Sequence, residues 1–193
     1  WNRILDARIL MQQPIVISGA GILGCYISCA LSLQGIDSIV LEKKDDEVED
    51  SVRTITLNPF SKNLLDKIGI ENDYSMINKM EVKDFDGTGK IVFKSSEIGM
   101  DHLAYVSDFA ALLMAVRKKA SEKILYKEEI IDIDNKGDFN KVTLSSGKVI
   151  KTNLIISSDG KNSKLANKIP KSDKDYFQTA LTFLASAEKD MNM

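Results

Sequence analysis

Residues 14–42 read PIVISGAGILGCYISCALSLQGIDSIVLE, and the reading of this stretch decides the fold. An apolar run, Ile15-Val16-Ile17, leads into Gly19-x-Gly21-x-x-Gly24. An amphipathic segment of about three helical turns follows. A second apolar run, Ser38-Ile39-Val40-Leu41, then closes on Glu42. The order is strand, glycine turn, helix, strand, acidic residue, and each part has a mechanical role. Gly19 permits a tight turn out of the strand. Gly21 has no side chain, so a pyrophosphate can approach the backbone, and Gly24 lets the helix lie close to the sheet. The helix N-terminus offers unpaired N–H groups and a partial positive charge to phosphates. Glu42, 18 residues after Gly24 at the tip of the second strand, can accept hydrogen bonds from ribose hydroxyls. The stretch reads as a dinucleotide site; its bland alternative is a coincidental glycine-rich turn.

Composition bounds the rest. The chain has 193 residues, 44% hydrophobic and 28% charged, enough for one core or for one domain and part of another. A net charge of −2 gives no reason to expect nucleic acid or an anionic membrane as partner. No apolar run reaches the ~18 residues of a membrane span. Residues 1–14 carry charges throughout and do not resemble a secretory signal. The chain opens on Trp1; Met11 would be a sensible start, and residues 1–10 read as an appended extension. Cys25 and Cys29 lie one helical turn apart on one face. A zinc site needs more ligands, and the single histidine, His102, is distant, so the cysteines read as small residues packing the helix onto the sheet. Two reduced cysteines suit a cytosolic protein.

Beyond Glu42, residues 43–50 read as a solvated loop. A polar, β-branched segment around Arg53 runs into a helix with Asn58 or Ser61 as N-cap, Pro59 in its first turn, Leu64, Leu65 and Ile68 at helical spacing, and Gly69 as terminator. Residues 80–94 alternate apolar and polar around Asp86-Gly87-Thr88-Gly89, a hairpin that opens an antiparallel layer. Residues 108–120 are helical, with Leu112, Leu113 and Val116 on one side and Arg117-Lys118-Lys119 at the basic end. Strand-like segments then run to Leu154-Ile155-Ile156, which stops at Ser157-Ser158-Asp159-Gly160. An apolar strand ending in Asp-Gly returns the chain to the sheet, at the edge where open α/β sheets bind ligands. After Asn167 the pattern thins to a polar linker and a final strand or short helix.

The occupant is FAD or NAD. Glu42 repels a 2′-phosphate and argues against NADP, an argument weakened by the adjacent Lys43 and Lys44. FAD is favoured because the hairpin and later strands intervene where a simple NAD domain would continue with βαβ units at ~30-residue spacing. Arg53 could bridge a flavin phosphate or ribityl group, or be a surface arginine on a loop. Asp159 could hold a ribityl hydroxyl, or close an ordinary turn. His102 has no obvious partner, the carboxylates show no metal spacing, and nothing reads as a catalytic nucleophile or acid–base pair. Chemistry would come from a cofactor.

Three blocks in order carry a family resemblance. They are VISGAGILG (16–24) through Val40-Leu41-Glu42, RTITLNPFSKNLLDKIGI (53–70) and LSSGKVIKTNLIISSDGKNS (144–163). Together they resemble the N-terminal half of the class A flavin monooxygenases of the para-hydroxybenzoate hydroxylase type, closest to the ubiquinone-biosynthesis hydroxylases. The resemblance covers about residues 14–167 and implies a three-layer, Rossmann-like FAD/NAD(P)-binding domain with the truncated start of a β-rich substrate domain. Its segments would be an extension at 1–13, FAD-binding parts at 14–75 and 105–167, a hairpin opening the substrate domain at 76–104, and that domain's start at 168–193. It implies FAD held by Gly19, Ala20, Gly21, Ile22, Leu23, Gly24, Glu42, Lys43, Arg53, Asp159 and Gly160. NAD(P)H would reduce the flavin, and one oxygen atom of O₂ would pass to an electron-rich ring, in this branch a polyprenylated phenol. The implied location is cytoplasmic, peripheral to the inner membrane or to a ubiquinone-biosynthesis complex.

Departures accompany the matches. The family's second flavin block, GDAAH…P…G.G.N, is absent, so the C-terminal half that carries it is an implied partner. The segment Tyr105–Asp108 lacks the family's polar or arginine residue before its helix, and Ala166 replaces a common basic residue. Two other readings stay open: an inactive or split remnant of such an enzyme, and another flavin oxidoreductase of the same fold, such as a polyprenyl reductase.

Overall fold

The computed structural model describes residues 13–48, 52–160, 163, 165, 176–179 and 181. The expected extension at 1–10, the start at Met11 and nearly all of 168–193 lie outside the described residues. In chain order the elements are β1 (Ile15–Ser18), α1 (Ile22–Leu33), β2 (Ser38–Glu42), β3 (Thr54–Leu57), α2 (Pro59–Lys67), β4 (Ser75–Ile77), β5 (Lys79–Lys83) and β6 (Lys90–Lys94). Next come β7 (Ala104–Asp108), α3 (Phe109–Ala120), β8 (Ile124–Tyr126), β9 (Ile130–Asp134), β10 (Asn140–Leu144), β11 (Val149–Thr152) and β12 (Ile155–Ser157), with 3₁₀ turns at Ser95–Ile98 and Ser121–Lys123. The chain divides into two compact units, one drawn from 1–48 and 113–174, the other from 49–112 and 175–193.

The first unit is the α/β body. Its parallel sheet has the order β12-β1-β2-β8, so the chain's first described strand is central. Val16 pairs with Ile155 on one side and Ile39 on the other. Both faces of β1 are covered, and Val16 and Ile17 are fully buried, which is why β1 is a continuous apolar run rather than an alternating one. One face is covered by α1, whose Gly24, Cys25, Ser28 and Cys29 are buried at helical spacing. Ser28 and Ser38 satisfy each other there, Oγ to Oγ at 2.8 Å. The opposite face meets the antiparallel sheet β11-β10-β9. Val16 and Leu41 cluster with Val142, Leu144 and Ile150, giving the expected three layers of helix, parallel sheet and antiparallel sheet.

The second unit holds the antiparallel sheet β3-β7-β4 and the hairpin β5-β6. The hairpin closes where its composition indicates, with Asp84 N–H donating to Gly89 O at 3.0 Å. Asn58, not Ser61, caps α2: its Oδ1 accepts from Ser61 N–H at 2.7 Å, with Pro59 in the first turn. Gly69 ends the run in the left-handed region at φ 71°. His102 does have a partner, Asn78 Oδ1 at 2.6 Å, and packs edge-on against Tyr105.

Candidate functional site

At their C-terminal ends β1, β2 and β12 bring Ser18, Glu42 and Ser157 to one edge of the parallel sheet. The glycine turn leaves β1 here. Gly19 sits at φ 101°, and its N–H donates to Leu41 O at 2.8 Å. A Cβ on Gly19 would stand 2.8 Å from Ser158 O and 2.9 Å from the Asp159 backbone. A Cβ on Gly24 would overlap the Gly19 carbonyl oxygen and come within 2.6 Å of Ser158 Oγ. Gly24 therefore fits α1 against the turn itself and against the segment after β12. Ser158 holds that junction: its N–H bonds Ser18 O at 2.8 Å, and its hydroxyl is shared between Ser18 O and Gly19 O at 2.8 and 3.0 Å.

Gly21 is different. It is the N-cap of α1 with φ −74°, makes no side-chain cap bond, and a Cβ there would meet nothing within 4 Å. Two glycines are filled by protein and the third faces open space. Among the described residues no side chain caps the first turn, Ile22, Leu23 and Gly24, and Leu23 is 60% exposed. An uncapped helix start behind a glycine with open space before it suits a diphosphate, whose oxygens would take the amide donors that a capping side chain would otherwise satisfy.

Glu42 ends β2 as a hub. Its Oε2 accepts from Ala20 N–H at 3.0 Å and its Oε1 from Lys44 N–H at 3.0 Å. Ala20, one of the residues that the resemblance implies at the cofactor, thus gives its N–H to Glu42. Lys43 is exposed at the rim. Ser18, Gly19, Glu42, Lys43, Glu129 and Asp159 share one cleft. Asp159 is oriented by two serines: Ser157 Oγ donates to Oδ1 at 3.1 Å and Ser163 Oγ to Oδ2 at 3.2 Å. Gly160 follows at φ 76°. Arg53 belongs to the second unit, immediately before β3, with its guanidinium 4.2 Å from the Phe109 ring centroid.

One residue of this site was not expected. Arg117 of α3 reads in sequence as part of a basic helix end, yet its Nε donates to Ala20 O at 2.9 Å and its Nη2 stands 3.5 Å from Glu42 Oε2. Its Nη1 is 3.5 Å from Asp46 O, and its guanidinium lies 5.7 Å from the Tyr126 ring centroid. The two cysteines of α1 offer no chemistry: burial pushes the Cys25 thiol up to about 12 and raises that of Cys29. Among the described residues no group of His, Cys, Asp or Glu could hold a metal ion, and no helix is long and apolar enough to cross a membrane.

Comparison with known proteins agrees with this fold. The mitochondrial ubiquinone biosynthesis monooxygenase COQ6 of Danio rerio is 26% identical over an alignment covering 86% of this chain and 40% of that protein. The 3-demethoxyubiquinol 3-hydroxylase of Escherichia coli K12 is 25% identical, with 81% of this chain and 44% of that protein covered. The chain thus spans less than half the length of these curated relatives. Among solved structures, PqsL of P. aeruginosa superposes with a TM-score of 0.71 at 20% identity, covering 85% of this chain and 48% of that one. The p-nitrophenol 4-monooxygenase PnpA of Pseudomonas putida gives 0.66 at 16%, covering 81% and 43%, and at such identities the likeness is one of fold. The family described as "FAD binding domain" matches residues 12–187, and the chain belongs to that family, whose cofactor is FAD.

Proposed function

We propose that this chain is the FAD-binding portion of a flavin-dependent monooxygenase that hydroxylates an aromatic ring, a polyprenylated phenol of ubiquinone biosynthesis, with NAD(P)H and O₂ as co-substrates. The observation that carries the reading is the glycine turn. Gly19 and Gly24 are closed by protein, while Gly21 stays open before an uncapped helix start, with Glu42 and Asp159 on the same sheet edge. In this reading Gly21 and the Ile22, Leu23 and Gly24 amides receive the diphosphate, Glu42 the adenosine ribose, and Asp159 a ribityl hydroxyl. Arg53 is read as a further FAD-binding residue. Residues 14–75 and 105–167 make up the FAD-binding domain, and 76–104 open the substrate domain.

Bound FAD supplies the redox chemistry; the protein binds, orients and excludes water. The chemistry of the described residues is consistent with that division, because the buried thiols are protonated and His102 is engaged by Asn78. The relatives' names support the ubiquinone branch. The remaining portion of the fold, an aromatic substrate, and a peripheral association with the inner membrane or with a ubiquinone-biosynthesis complex are the partners this reading entails.

Titration of the purified chain with FAD tests the binding step. A saturable rise in thermal midpoint with quenching of flavin fluorescence is expected, and a flat titration overturns it. Oxygen-dependent NAD(P)H consumption stimulated by a polyprenyl phenol is expected of the whole protein. Consumption that proceeds without oxygen turns the reading to a reductase of the same fold.

A further inference from the structure

We propose that Arg117 is a positioning residue of the FAD site, acting through Glu42 and Ala20 to hold the glycine turn in its phosphate-binding shape; this rests on the FAD reading above. The need for such a residue follows from the turn's composition. Gly19 and Gly21 carry no side chains that could lock the turn, and Ala20 between them carries only a methyl. Glycine is the most conformationally free residue, so a turn built from it is ordered from outside or loses that freedom when its ligand binds.

Arg117 supplies the order. Ala20 N–H donates to Glu42 Oε2 at 3.0 Å, Arg117 Nε donates to Ala20 O at 2.9 Å, and Arg117 Nη2 faces the same Glu42 oxygen at 3.5 Å. These contacts close a ring that fixes both polar groups of the Ala20 backbone. Ala20 is fully buried, and the Arg117 and Glu42 side chains are 11% and 12% exposed, so water competes poorly for the ring. The remaining arm, Nη1 toward Asp46 O, draws the loop after β2 into the same cluster, and Tyr126 backs the guanidinium. A lysine carries one nitrogen and could not span Ala20 O, Glu42 and Asp46 together.

The ring also sets how Glu42 is presented. Its Oε2 is committed to Ala20 and Arg117, while Oε1 takes the Lys44 N–H. A carboxylate oxygen has two acceptor positions, so Oε1 keeps one for a ribose hydroxyl. Arg117 would then influence FAD without touching it.

The test is FAD and ADP titration of the full chain as wild type, R117Q, R117K, E42Q and the double variant E42Q/R117Q, with folding followed by circular dichroism. Loss of a charge-assisted contact predicts affinity for both ligands reduced about tenfold in R117Q. R117K should be weakened to a similar extent, and it carries the test if R117Q does not fold. The loss in the double variant should be smaller than the sum of the two single losses, because Arg117 and Glu42 hold the same Ala20 backbone as one ring. A mere structural role would leave the two losses additive. Additive losses, or a folded R117Q or R117K with wild-type affinity beside a wild type that binds FAD, overturn the proposal. A wild type that binds no FAD overturns the underlying reading and this proposal with it.

Discussion

Gly24→Ala and Gly21→Ala should fail in opposite ways, although the substitutions are chemically identical and three residues apart. At Gly24 the new methyl would overlap the Gly19 carbonyl oxygen and stand 2.6 Å from Ser158 Oγ, where unstrained carbon contacts need about 3.5 Å. Relief requires α1 to shift away from the turn, and the Ser158 hydroxyl to give up its bonds to Ser18 O and Gly19 O. Overpacking costs about 1–3 kcal/mol and the weakened hydrogen bonding about 1 more. The better helix propensity of alanine offsets up to about 1 kcal/mol. The net loss is about 2 kcal/mol, or about 4–8 °C in thermal midpoint for a chain of this length. At Gly21 the methyl meets nothing within 4 Å, and φ −74° is open to alanine. Its reduced unfolded-state entropy, about 0.4–1 kcal/mol, is set against a poorer N-cap of similar size, so stability stays within about 0.5 kcal/mol. In the proposed site the methyl would, however, occupy the side from which the diphosphate approaches, and FAD affinity should drop about tenfold or more, roughly 1.4 kcal/mol. Urea and thermal unfolding without ligand, followed by FAD titration, read both quantities. A Gly24→Ala chain as stable as wild type refutes the packing argument. A Gly21→Ala chain with undiminished FAD affinity removes Gly21 from the phosphate path.

Further outcomes follow from the same structure. Asn58→Ala should cost about 1 kcal/mol by urea unfolding, because Ser61 N–H loses its 2.7 Å cap, and Asn58→Asp should retain most of that stability. Neither Cys25 nor Cys29 should react with a thiol reagent at neutral pH in the folded chain, since burial pushes Cys25 up to about 12 and raises Cys29; both should react at once on unfolding, and rapid labelling of the native chain refutes the burial. The hydrogen bond from Lys123 holds the Asp37 carboxyl below its usual range, so its stabilisation is present above the ordinary carboxylate pKa and is lost as pH falls through the folded value. With both partners partly solvated, Asp37→Asn should cost about 0.5 kcal/mol near neutral pH and nothing in strong acid; a deficit that persists in acid refutes the assignment.

What was legible in the sequence divides by the range of the physics involved. The glycine fingerprint could be read because part of its constraint is local: a positive φ at Gly19 and the close approach of Gly24 to the Gly19 carbonyl leave few other residue types possible. The hairpin at residues 79–94 and the cap at Asn58 belong to the same class, written by alternation and by neighbours three or four positions away. That β1 lies within a sheet covered on both faces is also written in its residues, since its run is apolar throughout. The locks of the site were not. Ser158 reaches Ser18 O across 140 residues and Arg117 reaches Ala20 O across 97, and neither separation leaves a periodic trace. In sequence Arg117, Lys118 and Lys119 are three equivalent cations ending a helix, a pattern the helix dipole alone explains. The fold separates them. Lys118 and Lys119 are exposed, whereas Arg117 flanks the stripe Leu113, Val116 and Ala120 that α3 buries, and so stands at the boundary of core and solvent. A basic residue beside a buried stripe has its stem packed and its head directed by whatever lies at the rim. Here the rim holds Glu42 and the Ala20 carbonyl, so a cation that the helix alone would leave in solvent is committed to the glycine turn.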